Sequence, residues 1–305
     1  MQDALQITQP PEMPSFMNVL VDYAFKRIFG NIQNKNILIS MLNAFLSEYV
    51  GVITDIELLP TEQLGILPND KKMSYDVYSK EGDERRFLLE MQRGRQTFYS
   101  RRAIAYVSRA VSNELKKGDR EYNFPSVISL NFMEYHDSKI MGKSDFVQRV
   151  MLKNEQNENF SEKIMFIFVD LSIFADEKTA SGIVDERRKW AYYIRNIGHL
   201  SEGDVKDETG FFRDFIDQCR MSNLNKTEMR EYKKSIMEYA DVQDACVAAM
   251  EDGIAEGEKR GEARGEARAK RVIIMQMLAN DISISTISKL TGLSEKEVRQ
   301  LTIDS

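Results

Sequence analysis

The pattern of hydrophobic and polar positions predicts a β-hairpin in the first third of the chain, where two strand-like runs flank a turn signal. Residues 72–78 have the β-branched and aromatic content of a strand, and residues 86–92 form a second apolar run. The intervening Glu81-Gly82-Asp83 segment is a turn signal. The pattern therefore predicts two antiparallel strands joined by a short turn.

The hairpin also predicts which side chains lie close together. Because side chains alternate along a strand, six residues of the second strand divide between two faces: Phe87, Leu89 and Met91 on one, and Leu88, Glu90 and Gln92 on the other. A turn centred near Asp83 places Asp76 opposite Glu90. Two ionised carboxylates in that relation repel, and a divalent cation between them would remove the penalty. The arrangement predicts a hard-metal site suited to phosphodiester cleavage.

The remaining patterns predict an α/β fold with a mixed sheet that is covered by helices. Helical spacing marks residues 19–29, 36–50, 97–117 and 185–198, and strand-like runs mark residues 51–60, 126–132 and 164–170. The last two runs are almost continuously apolar, which is typical of buried central strands. A polar segment at 134–161 is predicted to leave and re-enter the sheet.

Both ends of the chain differ from this pattern. Residues 1–15 contain three prolines and little apolar periodicity, so they are predicted to be a disordered lead. From about residue 207 the pattern is helical without further strand signals. We therefore predict an all-helical extension, whose first part comprises residues 201–250.

Two biased segments follow. Glycine recurs every fourth residue within the Glu/Arg-rich residues 251–271, which are predicted to form a connector helix. This helix is either a charged spacer or a stem that pairs with another helix. Residues 272–305 combine a helix, a turn at Gly292 and a capping box at Ser294, the outline of a helix-turn-helix. This small module either reads DNA or serves packing and oligomerisation, and its last helix is short for a DNA reader.

Composition limits the available chemistry. With two cysteines and two histidines in 305 residues, a Cys/His zinc site and a disulfide framework are disfavoured, and a reducing, cytoplasmic location is indicated. A catalytic metal would then be held by oxygen, which favours Mg²⁺ or Mn²⁺. No apolar run is long enough for a membrane span, and no secretion signal or phosphate-binding glycine loop is recognisable. We expect no membrane partner and no nucleotide cofactor.

The net charge of -6 means that a nucleic-acid partner would have to bind a local basic surface. Arginines do cluster around the hairpin, at Arg85, Arg86, Arg93, Arg95, Arg101, Arg102 and Arg109. Guanidinium groups suit phosphates. The alternative is that these arginines only balance the charge of neighbouring carboxylates, and the sequence is compatible with both interpretations.

Four segments together resemble the PD-(D/E)XK nuclease-family transposases, relatives of the bacterial recombination-promoting nucleases. They are VDYAFKRIFG at 21–30, DVYSKEGDERRFLLEMQRGRQ at 76–96, FYSRRAIAYVSRAVSNE at 98–114 and FPSVISLNF at 124–132. The resemblance covers residues 16–200. It implies a restriction-endonuclease-like αβββαβ core with a mixed sheet in that range, followed by the helical extension.

The resemblance also implies the functional residues. Asp22, Asp76, Glu90 and Gln92 are expected to be catalytic, with Asp22, Asp76 and Glu90 binding the metal. By spacing alone, Asp22 and Lys26 would form an ordinary ion pair on a helix. The lysine usual in the wider superfamily is replaced here by Gln92, which hydrogen-bonds but does not titrate. The expected contacts to DNA phosphates are Lys26, Arg93, Arg95, Gln96, Arg101 and Arg102.

The leading hypothesis is therefore a Mg²⁺-dependent (or Mn²⁺-dependent) endonuclease acting on double-stranded DNA in recombination or mobile-element biology. The alternative is a catalytically weak or inactive DNA-binding or assembly protein on the same fold. An RNA nuclease is a third hypothesis, for which the sequence offers no RNA-recognition motif. The helical tail additionally favours a homodimer formed through the C-terminal helices.

Overall fold

The computed structural model describes residues 14–63, 72–96, 98–115, 118 and 120–303. The chain forms two compact units, which divide between Gln243 and Asp244. Most of the predicted N-terminal lead, residues 1–13, lies outside the described residues. Within the described ranges, no helix combines the length and the apolar character needed to cross a membrane.

A six-stranded mixed sheet forms the centre of the first unit. Its strands are β1 (Glu57–Leu58), β4 (Val77–Glu81), β5 (Arg85–Gln92), β6 (Ser126–Met133), β7 (Val147–Lys153) and β8 (Asn159–Asp170). Their spatial order is β1-β4-β5-β6-β8-β7. β5, β6 and β8 run parallel, whereas β1, β4 and β7 pair antiparallel with their neighbours. Two short strands, β2 (Glu62–Gln63) and β3 (Met73–Ser74), form a separate pair.

Helices cover both faces of the sheet. α1 (Asp22–Phe29), α2 (Lys35–Val50), α5 (Glu186–Asn196) and α6 (Gly210–Cys219) share the larger hydrophobic core with Phe87 and Leu89 of β5. α3 (Tyr99–Glu114) packs on the opposite face with Leu88, and α4 (Ser138–Met141) is a single turn before β7. With α2 following α1, the order α1, β1, β4, β5, α3, β6 confirms the predicted αβββαβ core. The two predicted faces of β5 are also confirmed.

Three strand predictions need correction. The strand predicted at 72–78 is wrong, because β3 ends at Ser74, β4 begins at Val77, and Asp76 lies in the bend between them. β3 and β4 pair with different partners, so the chain must turn here. Of the strand predicted at 51–60, only β1 joins the sheet. The polar segment at 134–161 contains β7, an edge strand whose side chains are all exposed or half-buried and whose apolar residues do not alternate with polar ones.

The described C-terminal part of the chain is largely helical. α7 (Lys226–Ala279) has 54 residues and includes the glycine-rich segment, and α8 (Ile284–Thr291) and α9 (Glu295–Ile303) follow. In the second unit, α7, α8 and α9 share a small core of Ile274, Ile287 and Val298. Gly292 ends α8 with a φ of 72°, a left-handed conformation that favours glycine. The predicted domain limits at residues 200, 250 and 271 stay predictions.

Candidate active site

Two carboxylates meet where β5 runs beside the start of β4. The register pairs Val77 with Leu89, which places Asp76 next to Glu90. The Met91 amide donates a 2.8 Å hydrogen bond to Asp76 Oδ2, and the Asp76 amide lies 3.4 Å from Glu90 Oε1. The Asp76 side chain is 17% exposed and Glu90 is 5% exposed. The proximity predicted from the turn position is therefore confirmed.

Burial sets the electrostatics of this pair. Desolvation raises the pKa of Glu90 well above its ordinary value, and the nearby Asp76 carboxylate raises it further. Desolvation also raises the pKa of Asp76, although the Met91 N–H and the Lys26 ammonium act in the opposite direction. Two buried carboxylates are unfavourable when both are ionised, so the pair favours an added cation.

α1 contributes a third acidic group and a cation. The helix begins at Asp22 rather than at residue 19 as predicted, because Val21 has an extended backbone. Lys26 Nζ lies 2.9 Å from Asp22 Oδ1 and 3.6 Å from Asp76 Oδ1. Burial tends to lower the pKa of Lys26, but the hydrogen bond to Asp22 and the charge of Asp76 outweigh it and raise that pKa. Asp22 thus forms the predicted ion pair and reaches the carboxylate pair through Lys26.

Gln92 is held at the end of β5 by its neighbours. Its Oε1 accepts a hydrogen bond from Arg102 Nη2, and its Nε2 donates to the Gly94 carbonyl at 2.8 Å. Arg102 Nη1 also donates to Gln96 Oε1 at 2.8 Å, and its guanidinium carbon lies 5.0 Å from the centroid of the Tyr99 ring. Gln92 is therefore placed to orient the Arg102 guanidinium.

These side chains line a cavity of about 230 Å³, which we call the acidic cavity. Its lining includes the predicted site residues Asp22, Asp76, Glu90, Gln92, Arg93, Gln96 and Arg102. Lys26 lines a second cavity of about 510 Å³, whose lining also includes Asp22. Arg95 and Arg101 are exposed on the connection to α3 and on α3 itself. All four predicted catalytic residues therefore line one cavity.

The arginines around the hairpin separate into two groups. Arg85 and Arg86 bind the carboxylates of Glu81 and Glu114, at 2.7 Å and 2.6 Å. They line a larger cavity of about 800 Å³ at the turn end of the hairpin, away from the acidic cavity. For these two arginines the charge-balance interpretation is the better one, whereas Arg93, which follows β5, and Arg102 of α3 line the acidic cavity.

The acidic cavity has the donor chemistry of a divalent metal site but not a converged ligand set. Among the described residues, no group of three or more His, Cys, Asp and Glu side chains is arranged to hold a metal ion. Instead, the Lys26 ammonium lies between Asp22 and Asp76. Buried carboxylate oxygens are the ligands that a hard divalent ion prefers. The Lys26 ammonium beside them shows that this position attracts positive charge. The metal-binding roles of Asp22, Asp76 and Glu90 stay predictions.

Two features of the site were not predicted from the sequence. Tyr99, Arg102 and Tyr106 follow one another along α3, and the Arg102 guanidinium carbon lies 5.0 Å and 5.8 Å from the two ring centroids. Their i, i+3, i+7 spacing is a signal that could have been recognised. Tyr239 of α7 donates a hydrogen bond to Glu134 and lies below the Arg93 guanidinium. No local pattern predicts that contact, because the residues are far apart in the chain.

The Glu90→Gln variant is expected to gain stability over wild type as the pH rises. Below the ordinary pKa of 4.5, the carboxyl is protonated in both the folded and unfolded states. Above it, the unfolded state ionises first, so the wild-type fold loses stability until its own raised pKa is passed. Because glutamine cannot ionise, the difference in free energy of unfolding should grow by about 1.4 kcal/mol per pH unit in that window.

Urea denaturation of both proteins between pH 4 and pH 8 measures this difference. Glu155→Gln, at an exposed position in the turn between β7 and β8, is the matched control and should show no such growth. A difference in the free energy of unfolding between Glu90→Gln and wild type that is constant or shrinks with rising pH would contradict a raised pKa of Glu90.

The chain also matches a known protein family. The family model described as PD-(D/E)XK nuclease family transposase matches residues 19–249. This range contains all six strands of the main sheet and every residue that lines the acidic cavity. No curated protein and no solved structure matches the chain significantly.

Proposed function

Because the chain belongs to the PD-(D/E)XK nuclease family transposases, we propose that it is a metal-dependent endonuclease that hydrolyses phosphodiester bonds of double-stranded DNA. Family membership supports a nuclease with a recombination-related role. The finer proposal is carried by one observation: the buried Asp76–Glu90 pair shares a cavity with Arg93 and Arg102. Carboxylates that attract a metal and guanidinium groups that attract phosphate are the two requirements of such an enzyme.

The carboxylates are the proposed metal ligands. Asp76 and Glu90, together with Asp22, would hold Mg²⁺ or Mn²⁺ through oxygen. When bound, the ion supplies Lewis-acid chemistry that stabilises charge on the phosphodiester in the transition state. The chain itself holds the two main carboxylates side by side, since the Met91 amide binds Asp76 and the strand register places Glu90. This preorganisation avoids a reorganisation cost during the reaction.

Arg93 and Arg102 are the proposed ligands of the phosphate nearest the carboxylates. Arg93 Nη1 and Arg102 Nε are buried and find no hydrogen-bond acceptor among the described residues. A buried donor without an acceptor costs about 1–3 kcal/mol, and a phosphate in the acidic cavity would supply charged acceptors. Gln92 is proposed to hold Arg102 in place rather than to act as a base, because an amide does not titrate.

The remaining basic residues are proposed to contact phosphates farther along the DNA. Arg95 and Arg101 are exposed beside the acidic cavity, and Lys26 lines the second cavity next to it. Gln96 adds a neutral hydrogen-bonding group on the same connection. A local basic surface of this kind is what an acidic protein with a net charge of -6 needs to bind DNA.

We also propose a homodimer through the C-terminal helices. Val247, Met250 and Ile254 recur at helical spacing on α7, and they are 55%, 68% and 51% exposed. A row of exposed apolar side chains is typical of a surface that packs against another protein surface. Sedimentation equilibrium of the full chain should then show twice the chain mass of 35.3 kDa. A monomer at micromolar concentration would contradict the dimer.

The low cysteine content supports a cytoplasmic location.

Plasmid nicking is the direct test of the proposed activity. Wild-type protein is expected to nick supercoiled DNA with Mg²⁺ or Mn²⁺, and to lose this activity with EDTA or when Ca²⁺ is the only divalent ion. Glu90→Ala should be inactive under all conditions, because it lacks one of the two buried carboxylates. Asp83→Asn, at the exposed turn of the same hairpin, is the matched control and should cleave normally.

The alternative functions predict different outcomes in the same experiment. A catalytically inactive DNA-binding protein would bind the plasmid but leave it intact with every divalent ion. An RNA nuclease would cleave structured RNA and spare the plasmid. Nicking that persists at the wild-type rate in Glu90→Ala would rule out the proposed site even if the protein is a nuclease.

A further inference from the structure

Lys26 lies between two carboxylates, although the sequence predicted only its pairing with Asp22 and a contact to DNA phosphate. Its ammonium nitrogen lies 2.9 Å from Asp22 Oδ1 and 3.6 Å from Asp76 Oδ1, and its side chain is 40% exposed. It is therefore the positive charge that links the acid of α1 to the buried carboxylate pair. Nothing in the spacing of Asp22 and Lys26 along α1 predicts the contact with Asp76, which comes from a different element.

We propose that Lys26 is a resident counter-cation of the acidic cavity, and that its ammonium group leaves Asp76 when a divalent ion binds there. This inference rests on the proposed metal-dependent function. In the structure, the ammonium group neutralises part of the charge of Asp22 and Asp76. A metal ion would approach the same carboxylate oxygens at about 2.0–2.6 Å. Two cations at such short range repel strongly, so a bound metal disfavours the contact of the ammonium group with Asp76.

The surroundings of Lys26 provide a place for the displaced ammonium group. The second cavity, of about 510 Å³, is lined by Lys26, by the acidic residues Asp22, Glu231 and Glu238, and by the basic residues Arg27 and Lys234. Arg27 already pairs with Glu228 of α7, so the acidic residues of the cavity can still attract the ammonium group. A lysine has a flexible stem of four carbons, so its ammonium group can turn without movement of the helix. Lys26 would then lie beside the carboxylates rather than between them. The exchange keeps the carboxylates paired with a cation both with and without metal.

The consequence is that Lys26 and the metal compete for the same carboxylates. Removal of the lysine charge should therefore strengthen metal binding, even though it removes a group expected to help bind DNA. A lysine that serves only as a phosphate contact would change DNA affinity and leave metal affinity in the absence of DNA unchanged. The two roles are thus separable by measuring metal binding without DNA.

The experiment is calorimetric titration of Mn²⁺ into the full-length protein without DNA, supported by Mn²⁺ electron paramagnetic resonance. Lys26→Met is expected to lower the Kd about tenfold relative to wild type, the usual size of a coupling between two ligands. Lys26→Arg keeps the charge and should bind Mn²⁺ no more tightly than wild type. Lys35→Met is the matched control. Lys35 forms an ion pair with Asp55 at 2.6 Å, and neither residue lines the acidic cavity.

Each outcome decides between the alternatives. An unchanged or raised Kd for Lys26→Met would overturn the competition, and so would an equal drop in Kd for Lys35→Met. If wild type nicks plasmids with Mg²⁺ while Lys26→Met binds Mn²⁺ like wild type, only the role of Lys26 fails. If no variant binds Mn²⁺ and wild type does not nick DNA, both this inference and the metal-dependent function fail.

Discussion

Asp76→Asn is expected to slow DNA cleavage by about a thousandfold or more while leaving DNA binding and the fold intact. The substitution removes one buried carboxylate charge, whose interaction with a metal contributes several kcal/mol to stabilising the transition state. Each 1.4 kcal/mol corresponds to about a tenfold change in rate. Asparagine keeps the size of the side chain and an oxygen that accepts the Met91 N–H hydrogen bond. Initial rates of plasmid nicking with Mg²⁺ measure the effect.

Asp22→Asn is an informative comparison. Asp22 is 36% exposed, and its carboxylate contacts Lys26, which also contacts Asp76. Its replacement should therefore cost less activity than Asp76→Asn, on the order of tenfold to a hundredfold. Equal losses in the two variants would mean that Asp22 is a metal ligand of the same rank as Asp76. A rate for Asp76→Asn within tenfold of wild type would exclude this carboxylate from catalysis.

Trp190→Ala is expected to reduce the free energy of unfolding by about 3–5 kcal/mol, the usual cost of truncating a buried aromatic side chain. Trp190 of α5 is fully buried, and its ring centroid lies 4.9 Å from that of Phe212 and 5.1 Å from that of Phe215. It also lies 6.4 Å from Phe29, the last residue of α1. The truncation therefore removes support from the helix that carries Asp22.

Urea denaturation followed by far-ultraviolet circular dichroism measures this loss, because the chain contains one tryptophan and the variant has no intrinsic tryptophan fluorescence. Trp190→Phe keeps an aromatic ring and should lose clearly less stability. Tyr122→Ala, at a position that is 69% exposed, should change stability by no more than about 0.5 kcal/mol. A loss below about 1 kcal/mol in Trp190→Ala would mean that the core collapses around the missing side chain.

The centre of the fold could be predicted because its information is local. Residues 86–92 alternate in a way that assigns each side chain to one face of β5, and Gly82-Asp83 set the turn. Once turn and alternation are known, the register follows, and the proximity of Asp76 and Glu90 follows from the register. The helices at α2, α3 and α5 were likewise predictable from apolar spacing, because each buries one side against the sheet.

The errors in the strands have a different origin. β7 pairs with β8 at the sheet edge and buries none of its side chains fully, and its apolar residues fall on both faces instead of alternating with polar ones. The bend at Asp76 arises because β3 pairs with β2 while β4 pairs with β5. A strand that changes partners is defined by residues distant in the chain, and a local window does not contain them.

The sequence by itself determined the αβββαβ order, the two faces of β5 and the pairing of two carboxylates, since these depend on periods of two and 3.6 residues. Only the tertiary structure decided that Lys26 of α1 lies against Asp76, and that Arg85 and Arg86 bind carboxylates at the turn end while Arg93 and Arg102 line the acidic cavity. The physical reason is the distance along the chain over which each interaction acts. Ion pairs between separate elements depend on how helices pack on the sheet, whereas side-chain alternation depends on the backbone of a single strand.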